Sequence, residues 1–193
     1  PSFQPEADGV TFYLKAVYTD TLRNEYSKEH STHPIRMSRI CGPVEVVNDT
    51  TFTVRFYRMG LDNPKRTGGI CLMASVKQDH KYRSAVQQVE IRIPYRNKEG
   101  IPQRIIFPKL SDVKASVKEI SLNGTADSGL PVYYYVKEGP AEIKGDKLVL
   151  TKIPSRAKFP VKVTVVAWQY GRSGEPKVQT AEAVEQSFYI TAR

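Results

Sequence analysis

The segment EHSTHP brings Glu29, His30 and His33 within five residues of one another. A carboxylate and two imidazoles are donor types that zinc accepts. The order is not HExxH, however, and the surrounding Ser, Thr and Pro predict a loop rather than a helix presenting both rings on one face. No metal site is expected there. Cys41 and Cys71 stand in neither a CxxC nor a Cys/His metal spacing. A glycine-rich phosphate loop, a GxSxG elbow and zinc-ribbon spacings are all missing from the sequence. The acids are scattered, with no pair marked out as glycosidase carboxylates. The chain is therefore expected to have no catalytic residue, metal or cofactor, and not to be an enzyme.

Residues suited to binding are easier to find. Tyr133, Tyr134 and Tyr135 follow one another in SGLPVYYYVKEGP, and the single tryptophan, Trp168, is two residues from Tyr170. Aromatic faces stack on sugar rings, and Tyr hydroxyls and the indole N–H add hydrogen bonds. A second set, Arg23, Tyr26, Lys28 and His30, lies in TLRNEYSKEHSTH (21–33). Basic and aromatic side chains on one loop suit an anionic sugar or a neighbouring domain, the alternative being a solvated surface loop.

The elements that must position these residues are strands. RIIF, VKEISL, VYYYV, AEI, KLVLTKI, VKVTVVAW and VEQSFYI are short, rich in Val, Ile, Tyr and Phe, and often alternate. Asp127 to Pro131 and Lys144 to Lys147 supply turns, the latter a two-residue hairpin. Thirteen prolines and twelve glycines punctuate the chain, and no long stretch has helical periodicity.

The strands recur. PIRMSRICGPVEV (34–46) aligns without gaps to PVYYYVKEGPAEI (131–143), at an offset of 97. GICLMAS (69–75) matches KVTVVAW (162–168), AVQQVEI (85–91) matches AVEQSFYI (183–190), and LKAVYTD (14–20) matches LNGTAD (122–127). Four blocks in one order predict an all-β chain of two tandem immunoglobulin-like β-sandwich domains, each of about seven strands. The boundary is expected in RNKEGIP (96–102), giving domains at 1–98 and 99–193. The first copy carries eleven extra residues at the 21–33 loop. The opening, PSFQPEADGV, has no initiator Met or signal pattern and reads as a piece of a longer protein, with 1–9 a leader from a preceding domain.

Period-two alternation assigns faces. Val132, Tyr134 and Val136 point inward, as do Val161, Val163, Val165 and Ala167, which leaves Tyr133, Tyr135, Trp168 and Tyr170 outward on adjacent C and F strands. In the first copy their counterparts are Arg36, Ser38, Ser75 and Lys77, so the fold does not require aromatics there. The patch then has three uses: a sugar platform, a docking face for another domain, or rings covered by stems such as Lys137 or Lys162. The same parity places Cys41 inward and Cys71 outward, against a disulfide, and two buried thiols are the alternative.

The second copy resembles the bacterial immunoglobulin-like modules of large secreted and cell-surface proteins. Leu130-Pro131-Val132, Gly139-Pro140-Ala141, Gly145, Leu148 to Thr151, Ala167, Gln169 and Gly171 match their pattern over about 90 residues. The first copy keeps Gly42-Pro43, Phe52 to Val54 and Ala74 but lacks SGLP. The resemblance implies a non-catalytic accessory or scaffold module of an exported bacterial protein, placed outside the cell, at its surface or in the periplasm. Its expected partners are other domains of the same polypeptide. Polysaccharide binding, or a place at the accessory end of a carbohydrate-active enzyme, is the alternative.

The formal net charge of +9 tests one further class. Residues 1–108 carry an excess of +5 and residues 109–193 an excess of +4, interleaved with acids. A nucleic-acid binder concentrates its charge in a stripe or tail, so nucleic acid is not expected as a partner. No window approaches the roughly 18 apolar residues of a membrane span, so membrane insertion is not expected either.

Overall fold

The computed structural model describes residues 5–20, 25–55 and 67–192. Among these there is no helix, and the strands fall into two compact units, one ending at Tyr95 and the other running on from Arg96. Each is an immunoglobulin-like sandwich.

The first unit contains β1 (Thr11–Tyr13), β2 (Thr19–Asp20), β3 (Glu25–Tyr26), β4 (Arg36–Cys41), β5 (Val44–Val46), β6 (Thr51–Val54), β7 (Thr67–Val76) and β8 (Ala85–Pro94). One sheet has the order β1-β6-β5, another β4-β7-β8, and β2 and β3 form a small hairpin. Alternation seats Phe12, Phe52, Val54, Ile70, Leu72, Ile91 and Ile93 in the interior. Phe12 and Phe52 are register partners, and their rings stack at 5.6 Å.

The second unit contains β9 (Ile105–Ile106), β10 (Val113–Lys114), β11 (Glu119–Ser121), β12 (Thr125–Ala126), β13 (Tyr133–Glu138), β14 (Ala141–Lys144), β15 (Lys147–Leu150), β16 (Val161–Trp168) and β17 (Val184–Thr191). The sheet β10-β17-β16-β13 and the sheet β11-β15-β14 enclose Tyr134, Leu148, Val163, Val165, Ala167, Phe188 and Ile190. β10 runs parallel to β17 and the other pairs in these two sheets are antiparallel. Val132, Val136 and Val161 are partly buried against this core, as their parity predicts.

The repeat in the sequence is a repeat of structure. Arg36 lies opposite Ser75, and the counterpart positions Tyr133 and Trp168 lie opposite each other. A bulge falls between Arg39 and Cys41 and again between Val136 and Glu138. After each bulge a glycine takes positive φ, 103° at Gly42 and 104° at Gly139. A Cβ would sit 2.4 Å from the Gly69 carbonyl oxygen in the first case and 2.7 Å from that of Lys162 in the second. Only glycine lets the chain turn this closely over the neighbouring strand.

The bulge corrects the parity assigned to Cys41. One extra residue in the strand moves every later side chain to the other face. Cys41 is accordingly exposed rather than inward, and it lies opposite Cys71, which is half-buried.

Candidate functional site

The four aromatics expected to form an outer platform start from β13 and the end of β16. Tyr133 and Trp168 are register partners whose rings stack with centroids 5.0 Å apart at 27°. Tyr135 lies opposite Val166. Tyr134, Val165 and Ala167 face the core, so these rings lie on the opposite side of the sheet, but that side is not open. Trp168 and Tyr170 are each only 2% exposed, Val166 is 1% exposed, and Tyr133 and Tyr135 are half-buried. β16 is thus buried on both faces from Val163 to Trp168. Burial alone drives the Tyr170 phenol far above its usual range. An exposed sugar platform at Trp168 and Tyr170 is therefore not what these residues form. Parity identifies a side chain's face and says nothing of what covers that face.

What closes the end of β16 is polar and specific. Arg96, Thr180, Ala181 and Ala183 surround Trp168, Gln169 and Tyr170. The Thr180 hydroxyl donates to the Tyr170 carbonyl at 2.5 Å and accepts from the Asn97 N–H at 2.7 Å. Arg96 makes a two-pronged ion pair with Glu182. Gln169 is fully buried. Its amide donates to the Pro131 carbonyl at 2.5 Å, and its side-chain oxygen accepts from Gly171 N–H at 2.6 Å. Pro131, Gln169 and Gly171 are thus tied together, one loop to the next. Their role is to hold the sandwich end, and sequence reasoning did not assign it.

The inserted loop is built differently. Arg23 lies outside the described residues. Ser31 is buried, and its hydroxyl donates to Asp79 Oδ2 at 2.7 Å while accepting from His33 N–H. The other Asp79 oxygen accepts from the N–H groups of Lys81 and Tyr82, which folds the β7–β8 connection into a side-chain-closed turn. The Ser31 hydroxyl first, then these two N–H groups, hold the Asp79 carboxyl well below the usual carboxylate range. Lys81 also meets Glu29 at 2.9 Å. His30 lies flat on Tyr18, with ring centroids 4.4 Å apart, and donates from Nδ1 to the Ser31 carbonyl at 2.8 Å.

This anchored loop borders a groove of about 440 Å³ lined by Lys15, Tyr18, Tyr26, His30, His33 and Asp49, among others. Tyr26 is 76% exposed, and Lys28 is exposed but outside the groove. Among the described residues no three of His, Cys, Asp and Glu are grouped to hold a metal ion. No helix among them is long and apolar enough to cross a membrane.

No known protein family matches the chain, and no curated protein matches it. Solved structures similar to it include the protocadherin gamma B2 extracellular cadherin domains 3–6 (14% identity, 82% of this chain, 43% of that chain, TM-score 0.33). Drosophila N-cadherin EC1-4 is another (12%, 84% and 42%, TM-score 0.33). Human protocadherin-24 EC1-2 matches over more of both chains (100% and 94%) at 14% identity, with TM-score 0.37. The chain spans less than half of the first two structures. At such scores the likeness assigns no partner or ligand. The strand order and register themselves define the class: an all-β chain of immunoglobulin-like sandwiches.

Proposed function

We propose that the chain is a non-catalytic accessory module of a larger exported bacterial protein, acting as a scaffold and making its contacts through the loop end of the first unit. The observation that carries this reading is a contrast in exposure. Tyr26 is 76% exposed beside a loop that Ser31 and Asp79 anchor, whereas Trp168 and Tyr170 are 2% exposed. Exposed groups on an anchored loop lose little conformational freedom on binding. The occupant favoured here is another domain of the same polypeptide.

A polysaccharide is the second reading, and the aromatic and cationic lining of the groove favours it, with Tyr26, His30 and Lys15 around one opening. Titrating neutral and anionic polysaccharides by calorimetry decides between them. Saturable heat that Tyr26→Ala abolishes makes the groove a sugar site. No heat with any glycan, together with Tyr26-dependent association with the parent protein's adjoining domains, supports the scaffold. No Tyr26-dependent association with either partner overturns the proposal.

A further inference from the structure

We propose that Cys41 and Cys71 form a disulfide across β4 and β7, making this strand pair a thiol–disulfide site. The bulge after Arg39 places the two residues directly opposite each other in the antiparallel ladder. Opposite residues in such ladders have Cα atoms about 4.5 or 5.5 Å apart. Both spacings fall in the range of about 4.4–6.8 Å that a disulfide spans. Both side chains lie on the outer face, since Ile70 and Leu72 on either side of Cys71 are fully buried. The neighbouring Cys41 thiol first, then burial and the Cys41 and Glu90 charges, raises the Cys71 pKa, offset only in part by Gln88. Glu90 is the register partner of Cys71 on β8.

The second unit gives independent support for this geometry. Its counterpart positions, Glu138 and Thr164, are also register partners after a bulge, and their side chains are hydrogen-bonded at 2.7 Å. Ser187, the counterpart of Glu90, completes that row at 2.8 Å from Thr164. The position brings side chains together across the strands whichever residues occupy it.

The oxidant required is a small-molecule disulfide. Cys41, the more exposed thiol, loses its proton to water, and its thiolate attacks one sulfur of the oxidant and expels one thiolate. Cys71 then loses its proton to water, its thiolate attacks Cys41 Sγ in the mixed disulfide and expels the second, and the two expelled thiolates take up the two protons. Two protein thiols and one small disulfide thus become one protein disulfide and two small thiols, with two electrons passing to the oxidant.

The test uses the full chain, first reduced and then incubated with oxidised glutathione. Thiol titration should fall from two groups to none, with a mass loss of two hydrogens, no glutathione adduct and no change in oligomeric state. The unfolding midpoint should rise, and reductant should reverse it. Cys71→Ser should instead retain one glutathione on Cys41. Two titratable thiols, stable adducts on both cysteines, or disulfide-linked dimers would each overturn the proposal.

Discussion

Tyr133 and Trp168 face each other across β13 and β16 with their rings stacked, where the first unit has Arg36 opposite Ser75. One fold position holds a stacked pair of a buried Trp168 and a half-buried Tyr133 in one copy and polar side chains in the other. Trp168 should therefore show blue-shifted emission that no polysaccharide moves. Trp168→Ala should cost about 3–5 kcal/mol, the range for deleting a large buried aromatic. Denaturant unfolding followed by tyrosine fluorescence and circular dichroism measures this. A loss within about 0.5 kcal/mol, the level of an ordinary surface change, would contradict the packing role.

The two glycines that follow the bulges should behave alike. Gly42→Ala and Gly139→Ala each force a Cβ against neighbouring backbone and hold alanine at positive φ. Each should cost about 1–3 kcal/mol or more, because backbone strain and overpacking add. Gly145 provides the control: it too has positive φ, but a Cβ there meets nothing. Gly145→Ala should cost less than either, as read from unfolding midpoints of the three variants.

The strand bounds of β16 and the inward set Val163, Val165 and Ala167 were legible because alternation records the core-facing side directly. The loops were legible as loops, but not the partnership of Ser31 with Asp79, since hydrogen bonds across 48 residues leave no local pattern. Two misreadings share one cause. Alternation counts residues, so an extra residue at a bulge reversed the face of Cys41. It also describes one strand at a time, so it could not register that both faces of β16 are buried. The paired ICGP and KEGP segments held the missing signal: a glycine before proline at the same place in both copies marks the chain's turn out of the strand.

Asp79 makes the inserted loop sensitive to acid. Its folded pKa is depressed by the Ser31 hydroxyl and by the N–H groups of Tyr82 and Lys81, below an unfolded value of about 3.9. A depressed carboxylate contributes stability that is present above the unfolded value and lost as pH falls through the folded one. The Ser31 to His33 amides should thus be protected from exchange at pH 7 and lose protection below about pH 4, progressively toward the folded value. Asp79→Ala should show the same loss at pH 7. Protection independent of both pH and Asp79 would mean that the stacking of His30 on Tyr18 holds the loop by itself.

Tyr134 answers for the middle of the tyrosine run. It is the inward ring, packed on Phe107 with centroids 5.4 Å apart. Its hydroxyl accepts from Gly124 N–H at 2.6 Å and donates to the Leu122 carbonyl at 3.2 Å. Burial raises its pKa, offset only in part by the Gly124 N–H. Tyr134→Phe keeps the ring but strands that N–H, so it should cost about 1–3 kcal/mol. Tyr134→Ala should cost about 3–5 kcal/mol, since the ring is lost as well. Because the folded pKa of the wild-type phenol is raised, the stability it contributes should be fully present below the unfolded value of about 10 and be lost as pH rises from there through the folded value. If Tyr134→Phe proves neutral, the hydroxyl's bonds contribute nothing and the ring alone fixes this strand against β11 and its following turn.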